Sequence, residues 1–438
     1  MKMMGPADYL IYEVLMKTWV AETVGNSRRS CYVISSNNCF VMKRISIAVL
    51  SMAAVLLPAR AQQALGISGP VLSPEVHSDK SVTFRLLAPE ARQVYVTGDF
   101  LPVEIVHTAQ GDRKVAGKRE MTKSGNGVWE FATGPLSPEL YSYSMVVDGL
   151  KITDPSNVYQ LRDIASLTNV FLIDGGQADY YKIKDVPHGT VSKVWYDSPS
   201  LGMARRLTVY TPAGYGKGEK RYPVFYLLHG KGGDENAWPE LGRATQILDN
   251  MIASGEAEPM IVVMTNGNAA QQATPGESSL GFRQPTDNLP KTMDGSFERS
   301  FPEIVEFIDN NYRTKVDKKD RAIAGLSMGG FHSMQISKEY PDMFDFVGLF
   351  SAALWLDRKT DSPVYADVES KLKTQFSNKP ALYWIAIGDD DFLYDTNVKF
   401  RKHLDDNGYP YVYKESAGGH SWRNWRTYLT EFLPLLFR

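Results

Sequence analysis

Continuous apolar runs alternate with amphipathic segments over residues 183–438, and this alternation constrains the fold more than any other feature. Runs of this kind are typical of strands that are buried on both faces of a parallel sheet. The intervening segments, such as residues 301–311 and 398–407, have the spacing of helices with one apolar face. The pattern predicts an α/β fold with a doubly wound, mostly parallel sheet. The predicted strands are residues 224–228, 260–264, 321–325, 346–350 and 382–387.

Residues 70–175 have a different pattern, in which short alternating runs are separated by turn residues. Asn126-Gly127 and Asp148-Gly149 are typical of hairpin turns, and no helical period of useful length occurs. This segment is therefore predicted to be an all-β, immunoglobulin-like (early-set) sandwich, joined by a linker at residues 174–178. Its predicted strands are residues 81–87, 93–97, 128–132, 141–147 and 169–173.

The N-terminal part has the pattern of a signal peptide at residues 42–61. Lys43-Arg44 is followed by an apolar run at residues 45–57, too short to span a bilayer, and by the cleavage pattern Ala59-Arg60-Ala61. We expect cleavage after Ala61, a secreted or periplasmic protein, and no membrane insertion of the mature form. Residues 1–41 are expected to be a mis-annotated leader, with Met42 as the true start.

Composition excludes several classes of function. The chain has 48 basic and 50 acidic residues, so nothing favours nucleic acid as a partner. The two cysteines, Cys31 and Cys39, precede the predicted signal peptide. The mature chain would therefore contain no disulfide, no zinc–thiolate site and no cysteine nucleophile.

The motif Gly325-Leu326-Ser327-Met328-Gly329 lies between a predicted strand and a predicted helix at residues 330–340. A serine nucleophile needs such a sharp turn, because the flanking glycines let the backbone crowd together while the hydroxyl stands clear of the sheet edge. Ser327 is therefore the candidate nucleophile.

The candidate base follows from the position of each histidine in the chain. His332 is too close to Ser327, and His403 lies within a predicted helix, where a solvated or packed role is the ordinary one. His420 lies in Ala417-Gly-Gly-His-Ser-Trp422, a glycine-rich loop before the last predicted helix. Such a loop can reach over a nucleophile, so His420 is predicted to be the base.

The acid and the oxyanion hole are expected at two other strand ends. Gly388-Asp389-Asp390-Asp391 follows one strand, and the residues alone leave open which carboxylate accepts the ring N–H of the histidine. Leu228-His229-Gly230-Lys231-Gly232-Gly233 follows another. The backbone N–H groups of Lys231 and Met328 would face the developing oxyanion, and the histidine of this loop is expected to be structural.

These motifs resemble the esterase group of α/β hydrolases, especially the feruloyl and acetyl-xylan esterases of carbohydrate esterase family 1. The resemblance covers roughly residues 180–438. It implies that Ser327 is the nucleophile, Asp391 the acid and His420 the base. No cofactor is expected, and no metal is expected because the mature chain has no cysteine and no clustered His/Asp/Glu motif with metal-ligand spacing. The matching motifs are Gly-Leu-Ser-Met-Gly-Gly at 325–330, His-Gly-x-Gly-Gly at 229–233, Gly-x-x-Asp at 388–391 and Gly-Gly-His-Ser-Trp at 418–422.

The segment before the linker resembles family 48 of the carbohydrate-binding modules. The resemblance is carried by Gly98-Asp-Phe100, Gly127-Val-Trp-Glu130 and Val147-Asp-Gly149. Some members of that family bind glucan and many only pack against a catalytic domain. Trp129 and the tyrosines could form sugar platforms or core, and we expect a structural or pocket-shaping role.

Together the resemblances imply a secreted serine esterase that hydrolyses feruloyl-type or acetyl esters on plant cell-wall polysaccharide such as arabinoxylan. Its partner would be the esterified polysaccharide or an oligosaccharide derived from it. Two alternatives stay open: a siderophore (enterobactin-type) esterase, and a non-catalytic carbohydrate-binding protein.

Four residues are predicted to contact the substrate: Gly230, Trp355, Phe282 and Trp422. The aromatic side chains would hold a planar phenolic acyl group between apolar walls. The long segment at residues 268–296 has little periodicity, and we expect it to cover the pocket.

Overall fold

The computed structural model describes residues 71–108, 111–356 and 361–438 of the chain. These residues belong to one compact unit. The predicted leader at residues 1–41, the signal peptide at 42–61 with its cleavage site after Ala61, and both cysteines lie outside the described residues. In the described part, no helix is long and apolar enough to cross a membrane.

The first part of the described chain is all-β, and its strand pairings are antiparallel. One sheet has the order β1-β2-β8-β7, and the other has the order β11-β12-β9-β3-β6 with β10 paired to β9, while β4 and β5 form a separate hairpin. The strands are β1 (Glu75–Val76), β2 (Val82–Leu87), β3 (Val94–Gly98), β4 (Glu104–Thr108), β5 (Gly111–Val115), β6 (Lys118–Glu120), β7 (Thr122–Lys123), β8 (Val128–Ala132), β9 (Glu139–Val147), β10 (Leu150–Ile152), β11 (Gln160–Asp163) and β12 (Ser166–Ile173).

Aromatic side chains fill the core between these two sheets. Phe84 contacts both Tyr143 and Phe171, with ring centroids 4.9 and 5.5 Å apart. Trp129 and Tyr141 are also buried in this cluster. Because these rings pack inward, they are core residues and are not available as a surface platform for sugar rings.

The second part of the chain is built on an eight-stranded sheet with the order β13-β14-β16-β15-β17-β18-β19-β20. The six strands from β16 to β20 in this order run parallel, while β13 and β14 are antiparallel additions at one edge. The strands are β13 (Thr190–Ser198), β14 (Met203–Thr211), β15 (Val224–Leu228), β16 (Ile261–Met264), β17 (Arg321–Leu326), β18 (Phe346–Phe350), β19 (Leu382–Gly388) and β20 (Val412–Ser416).

Helices cover both faces of this sheet. Four of them pack in an apolar cluster on one face: α3 (Ser296–Asn311), α4 (Met328–Glu339), α5 (Val368–Ser377) and α6 (Tyr394–Asp406). The opposite face is covered by α1 (Ala237–Glu240), α2 (Ala244–Ala253) and α7 (Trp422–Phe432). The strand β15 contributes alternate residues to the two clusters, which explains why it is apolar throughout.

The predicted fold class, an all-β domain followed by a doubly wound, mostly parallel sheet, is confirmed. All ten predicted strands lie within one or a few residues of observed strands. The edge strands β13 and β14 were not predicted, because β14 carries the adjacent charged residues Arg205 and Arg206, which break the apolar pattern. The helix expected at residues 301–311 begins five residues earlier, at Ser296.

The β-sandwich and the α/β part share one apolar cluster. Leu140, Val170 and Tyr181 pack in the same cluster as the residues on the α2 and α7 face of the large sheet. The connection between the two parts is a short 3-10 turn (Gly176–Tyr180) in which Ala178 is buried. We keep residues 70–175 and 183–438 as the proposed domains, although they are packed together.

A buried ion pair lies within this shared cluster. Glu139 of β9 and Arg426 of α7 are each about 5% exposed, and their Oε1 and Nη2 atoms are 2.9 Å apart. The same oxygen accepts hydrogen bonds from the Tyr181 hydroxyl and the Leu140 amide. The remaining Arg426 Nη1 donates to the Leu241 carbonyl at 2.8 Å. These hydrogen bonds offset part of the cost of burying the two charges, while Arg426 Nε is buried without a partner among the described residues.

Glu139→Ala should destabilise the protein strongly, since it leaves the Arg426 guanidinium buried without its counter-charge. We expect a loss of about 3 kcal/mol in the free energy of unfolding, measured by urea denaturation. Asp406→Ala, which breaks the exposed Lys402–Asp406 pair on α6, is the matched control and should cost less than about 0.5 kcal/mol. Equal losses for the two variants would contradict a structural role for the buried pair.

Candidate active site

Ser327 occupies the sharp turn between β17, which ends at Leu326, and α4, which begins at Met328. Its backbone has φ 53° and ψ −113°, a conformation that residues other than glycine rarely adopt. The turn is held by hydrogen bonds from the Ser327 amide to the Phe350 carbonyl, and from the Ala353 amide to the Ser327 carbonyl. The serine is therefore fixed in a strained position at the carboxyl edge of the sheet.

The flanking glycines are required by close packing. A Cβ atom on Gly329 would lie 2.5 Å from the carbonyl oxygens of Leu228 and His229, and one on Gly325 would lie 2.5 Å from the backbone of Gly329. Neither position has room for a side chain, since the neighbouring atoms belong to the backbone. This packing brings the start of α4 against the end of β15.

His420 contacts one aspartate. Its Nδ1 lies 2.9 Å from Oδ2 and 3.1 Å from Oδ1 of Asp391. The Asp391 carboxylate is buried and also accepts a hydrogen bond from the Leu393 amide at 2.9 Å. A carboxylate held in this way favours the tautomer of His420 that carries its proton on Nδ1 and leaves Nε2 as an acceptor.

The two neighbouring aspartates have other partners. Asp389 accepts a hydrogen bond from the Gly418 amide at 2.9 Å, which ties the acidic turn to the loop that carries His420. Asp390 is exposed and forms an ion pair with Lys114 of β5 at 2.6 Å. Among the three, only Asp391 contacts the histidine, which is the residue that the family resemblance implied.

A cavity of about 410 Å³ lies at this edge of the sheet. Ser327 and His420 both line it, as do Gly230, Lys231 and Met328. The His420 ring packs between Phe392, at 4.5 Å, and Trp425, at 4.9 Å between centroids. Other lining residues are Asn236, Ala237, Glu240, Leu241, Asp287, Met293, Trp355, Leu393 and Trp422.

The loop after β15 lies directly against the serine. A Cβ atom on Gly230 would be 2.5 Å from the Leu326 side chain and 3.3 Å from Cβ of Ser327. The Lys231 side chain is exposed and lies 3.8 Å from Asp287. Met328 is the first residue of α4, so its amide has no acceptor within the helix. Lys231 and Met328 both line the cavity, so their backbone amides are the candidate oxyanion donors.

His229 holds the loop after β15 in place through hydrogen bonds of both its ring nitrogens. Its Nε2 accepts a hydrogen bond from the Gly267 amide at 2.8 Å, so Nδ1 must carry the proton that it shares with the Gly230 carbonyl at 2.7 Å. Burial lowers the pKa of His229 to about 4. A neutral, fully bonded histidine of this kind orients the backbone, as the sequence led us to expect.

The structure brings most of the predicted site residues together, with one exception. Trp355 and Trp422 line the cavity, whereas Phe282 is 82% exposed and is not among the lining residues. Phe282 belongs to a run of exposed residues at 279–284, and its aromatic character alone did not indicate its position. Asp287 and Met293 of the same long segment do line the cavity.

Sequence reasoning missed three lining residues that come from the β-sandwich: Arg162, Asp163 and Ile164. They lie at the hairpin between β11 and β12, which the sequence analysis did not resolve. No turn signal marks this hairpin in the sequence. Asp163-Ile164-Ala165-Ser166 joins two strands without the glycine or asparagine that a tight hairpin normally contains.

The arrangement is chemically suited to nucleophilic catalysis. It combines a strained serine, a histidine whose Nδ1 faces a buried carboxylate, and two backbone amides at the wall of one cavity. Within the residues that the structure describes, no group of three or more His, Cys, Asp or Glu side chains is placed to hold a metal ion.

Comparison with known proteins identifies the class and then the family. The model of the family described as "Putative esterase" matches residues 198–436. In fold, the chain is similar to the enterobactin esterase from Shigella flexneri, with a TM-score of 0.54 at 15% identity, over 81% of this chain and 92% of that one. The fold is that of the α/β hydrolases. Because the family model spans more than half of its residues, the chain belongs to this esterase family.

Two further relatives have names related to ferulate. The endo-1,4-beta-xylanase/feruloyl esterase of Xylanibacter ruminicola is 34% identical over 296 residues, which are 66% of this chain and 37% of that protein. A solved ferulic acid esterase is 29% identical with a TM-score of 0.45, over 56% of this chain and 97% of that chain. This chain thus spans little more than a third of the curated relative.

His229 should make the stability of the fold depend on pH. An unfolded chain protonates histidine near pH 6.5, while burial lowers the folded pKa to about 4. The unfolded state therefore binds the proton first, and stability falls as the pH drops through this window. We expect His229→Gln, which keeps one donor and one acceptor, to reduce the loss of unfolding free energy between about pH 7 and pH 4 by about 3 kcal/mol. Parallel pH profiles of urea denaturation for the two proteins would contradict this prediction.

Proposed function

We propose that this protein is a secreted serine esterase that hydrolyses feruloyl-type or acetyl esters on plant cell-wall polysaccharide such as arabinoxylan. The observation that carries the proposal is the contact of His420 with the buried Asp391, in a cavity that Ser327 also lines. The printed name of the Xylanibacter ruminicola relative supports the substrate class. Secretion rests on the signal-peptide pattern at residues 42–61.

The proposed reaction has two halves. Ser327 Oγ attacks the ester carbonyl carbon while His420 Nε2 takes the hydroxyl proton, and the carbonyl oxygen becomes an oxyanion facing the amides of Lys231 and Met328. Collapse of this intermediate breaks the ester C–O bond, and His420 returns the proton to the departing alcohol. Water then attacks the acyl-enzyme by the same steps in reverse order, releasing the acid and restoring Ser327.

Asp391 supports this cycle without exchanging a proton. Its buried carboxylate holds the Nδ1–H of His420 and stabilises the imidazolium that forms transiently. The perpendicular ring of Trp425, with its centroid at 4.9 Å, limits rotation of the imidazole. The base is therefore held toward the cavity before substrate binds, which lowers the entropic cost of the chemical step.

The cavity walls favour an aromatic acyl group over a small one. Trp355, Trp422 and Phe392 line a volume of about 410 Å³, which is in the range of small-molecule pockets. Flat apolar walls of this kind suit a hydroxycinnamoyl group, whereas an acetyl group would fill only a small part of the space. Acetyl esters stay as the second candidate substrate.

Two alternatives carry less support. The likeness to the enterobactin esterase at 15% identity concerns the fold, and a siderophore esterase would not need the secretion pattern. A non-catalytic carbohydrate-binding protein would have no reason to keep a strained Ser327 above a His420–Asp391 pair.

The substrate proposal is tested by the rates of hydrolysis of methyl ferulate, acetylated xylan, enterobactin and an aryl acetate. We expect the highest kcat/KM on the feruloyl ester. Ser327→Ala should reduce every rate by at least about a thousandfold, while circular dichroism shows an unchanged fold. Substantial activity in this folded variant would show that Ser327 is not the nucleophile. Faster release of acetate than of ferulate would show that the protein is a serine esterase with a different acyl specificity.

The three aspartates provide an internal comparison. Asp391→Asn should reduce kcat by about 10⁴-fold, because the amide disfavours the tautomer of His420 that accepts the serine proton. Asp389→Asn keeps an oxygen for the Gly418 amide, and Asp390→Asn alters only an exposed ion pair, so both should stay active. An inactive Asp389→Asn enzyme beside an active Asp391→Asn enzyme would show that the acid has been misassigned.

A further inference from the structure

The hairpin between β11 and β12 extends from the β-sandwich to the cavity of the α/β part. Asp163 pairs with Ser166 across the hairpin, so Ile164 and Ala165 form a two-residue loop. Arg162, Asp163 and Ile164 line the same cavity as Ser327 and His420. A residue from the N-terminal part of the chain is thus placed beside residues that carry out the proposed reaction.

The backbone of Ile164 is an outlier. Its φ is 52°, in the left-handed region, at the first central position of a tight hairpin where glycine, asparagine or aspartate normally occurs. A β-branched side chain is especially unfavourable in this conformation. Strain of this kind persists where the surroundings hold the residue in place, and it is concentrated at functional sites.

The surroundings of Ile164 show what its side chain contacts. A Cβ atom on Gly232 would lie 2.8 to 3.1 Å from three side-chain carbons of Ile164. Gly232 follows Lys231, which lines the cavity, in the loop after β15. The isoleucine therefore covers the backbone of this loop and presents the rest of its apolar surface to the cavity.

Arg162 fastens the hairpin in this position. Its Nη2 forms an ion pair with the buried Asp234 and donates to the Thr274 hydroxyl at 3.1 Å. Its Nη1 donates to the Ile164 carbonyl at 2.7 Å, which supports the strained turn directly. Asp234 also accepts hydrogen bonds from the Thr274 hydroxyl and the Asn236 amide. The hairpin tip is thus fixed before any substrate arrives.

Asp163 supplies a polar group at the cavity wall, next to the apolar side chain of Ile164. Among the described residues, none donates a hydrogen bond to its carboxylate, which is exposed at the cavity wall. The surrounding protein raises the pKa of Asp163 by desolvation, and the nearby Arg162 opposes that rise. An acceptor in this position is free to bind a hydroxyl group of a ligand.

We propose that the hairpin tip is a specificity-determining wall of the substrate pocket, in which Ile164 packs against the substrate and Asp163 accepts a hydrogen bond from a substrate hydroxyl group. The hydroxyl belongs either to the phenolic ring of the acyl group or to the sugar that it esterifies. This inference rests on the proposed function, which it extends by making the β-sandwich part of the substrate site.

The test of Ile164 uses the full chain and the substitution Ile164→Gly. Glycine removes the apolar wall and also relieves the strained φ, so the midpoint of thermal unfolding should stay close to that of the unchanged protein. We expect kcat/KM for methyl ferulate to fall about tenfold, while that for an aryl acetate, too small to reach the wall, is unchanged. Leu167→Ala is the control, because Leu167 is exposed on the same hairpin and is not among the lining residues.

Asp163→Ala identifies the source of the hydroxyl group. If the phenol is bound, the preference for methyl ferulate over methyl 3,4-dimethoxycinnamate should fall about tenfold. If the sugar is bound, the preference for a feruloylated arabinoxylo-oligosaccharide over methyl ferulate should fall instead. Either outcome supports the role of Asp163, and unchanged values of both preferences would overturn it.

The results for Ile164→Gly also distinguish a role in substrate binding from a purely structural role. An equal loss on the aryl acetate and on methyl ferulate would show that Ile164→Gly only disturbs the loop after β15, and no loss on either substrate would show that the side chain does not reach the ligand. Either result would contradict the proposal that Ile164 forms a wall of the substrate pocket. By contrast, failure of the unchanged protein to hydrolyse any of these esters would count against the proposed function itself.

Discussion

The geometry of the site depends on one close contact between backbones, where α4 begins against the end of β15. The carbonyl oxygens of Leu228 and His229 lie where a side chain on residue 329 would have to be, so only glycine fits. Since the helix cannot move away from the sheet, the chain must turn sharply at Ser327, and its φ of 53° is the consequence. The same contact places the start of α4 beside the loop after β15, so the positions of the proposed nucleophile and of both proposed oxyanion donors follow from one packing constraint.

That loop is in turn held by buried charges. Asp234 pairs with Arg162 of the β-sandwich, and Glu235 accepts a hydrogen bond from Arg206 Nε at 2.8 Å and another from the Thr274 amide at 2.9 Å. Charges of this kind are costly to bury, and the hydrogen bonds that they form offset part of this cost and favour one arrangement of the loop. The exposed Lys114–Asp390 pair contributes far less, because water and salt screen it. The buried network therefore gives the β-sandwich its rigid connection to the site.

The parts of the structure that were predictable from sequence are those in which one local pattern decides the outcome. Strands buried on both faces must be apolar throughout, so the central strands were evident. The turn at Ser327 needs its glycines whatever surrounds it, and a glycine-rich loop marked His420. The three aspartates were different: adjacent residues on one turn point in different directions, and only the family resemblance selected Asp391.

What could not be predicted depends on contacts between distant parts of the chain. The strand β14 contains Arg205 and Arg206, which are buried because Asn266, Asn268, Gln271 and Glu235 supply their acceptors. No periodicity reveals such partners in advance. For the same reason, Phe282 looked as suitable for the pocket as Trp355, although only the latter lines it. The hairpin tip was missed because its sequence breaks the turn rule that identifies other hairpins.

Ser327 and Ile164 are both non-glycine residues with positive φ, and they line the same cavity from different parts of the chain. Glycine would relieve the strain at either position, yet it would remove the hydroxyl in one case and the apolar wall in the other. Strain that a simple substitution could relieve is retained where the side chain has a use that outweighs it. On this argument the β-sandwich contributes to the site as directly as the large sheet does. The shared core, with its buried Glu139–Arg426 pair, fixes the positions of the two strained residues relative to each other.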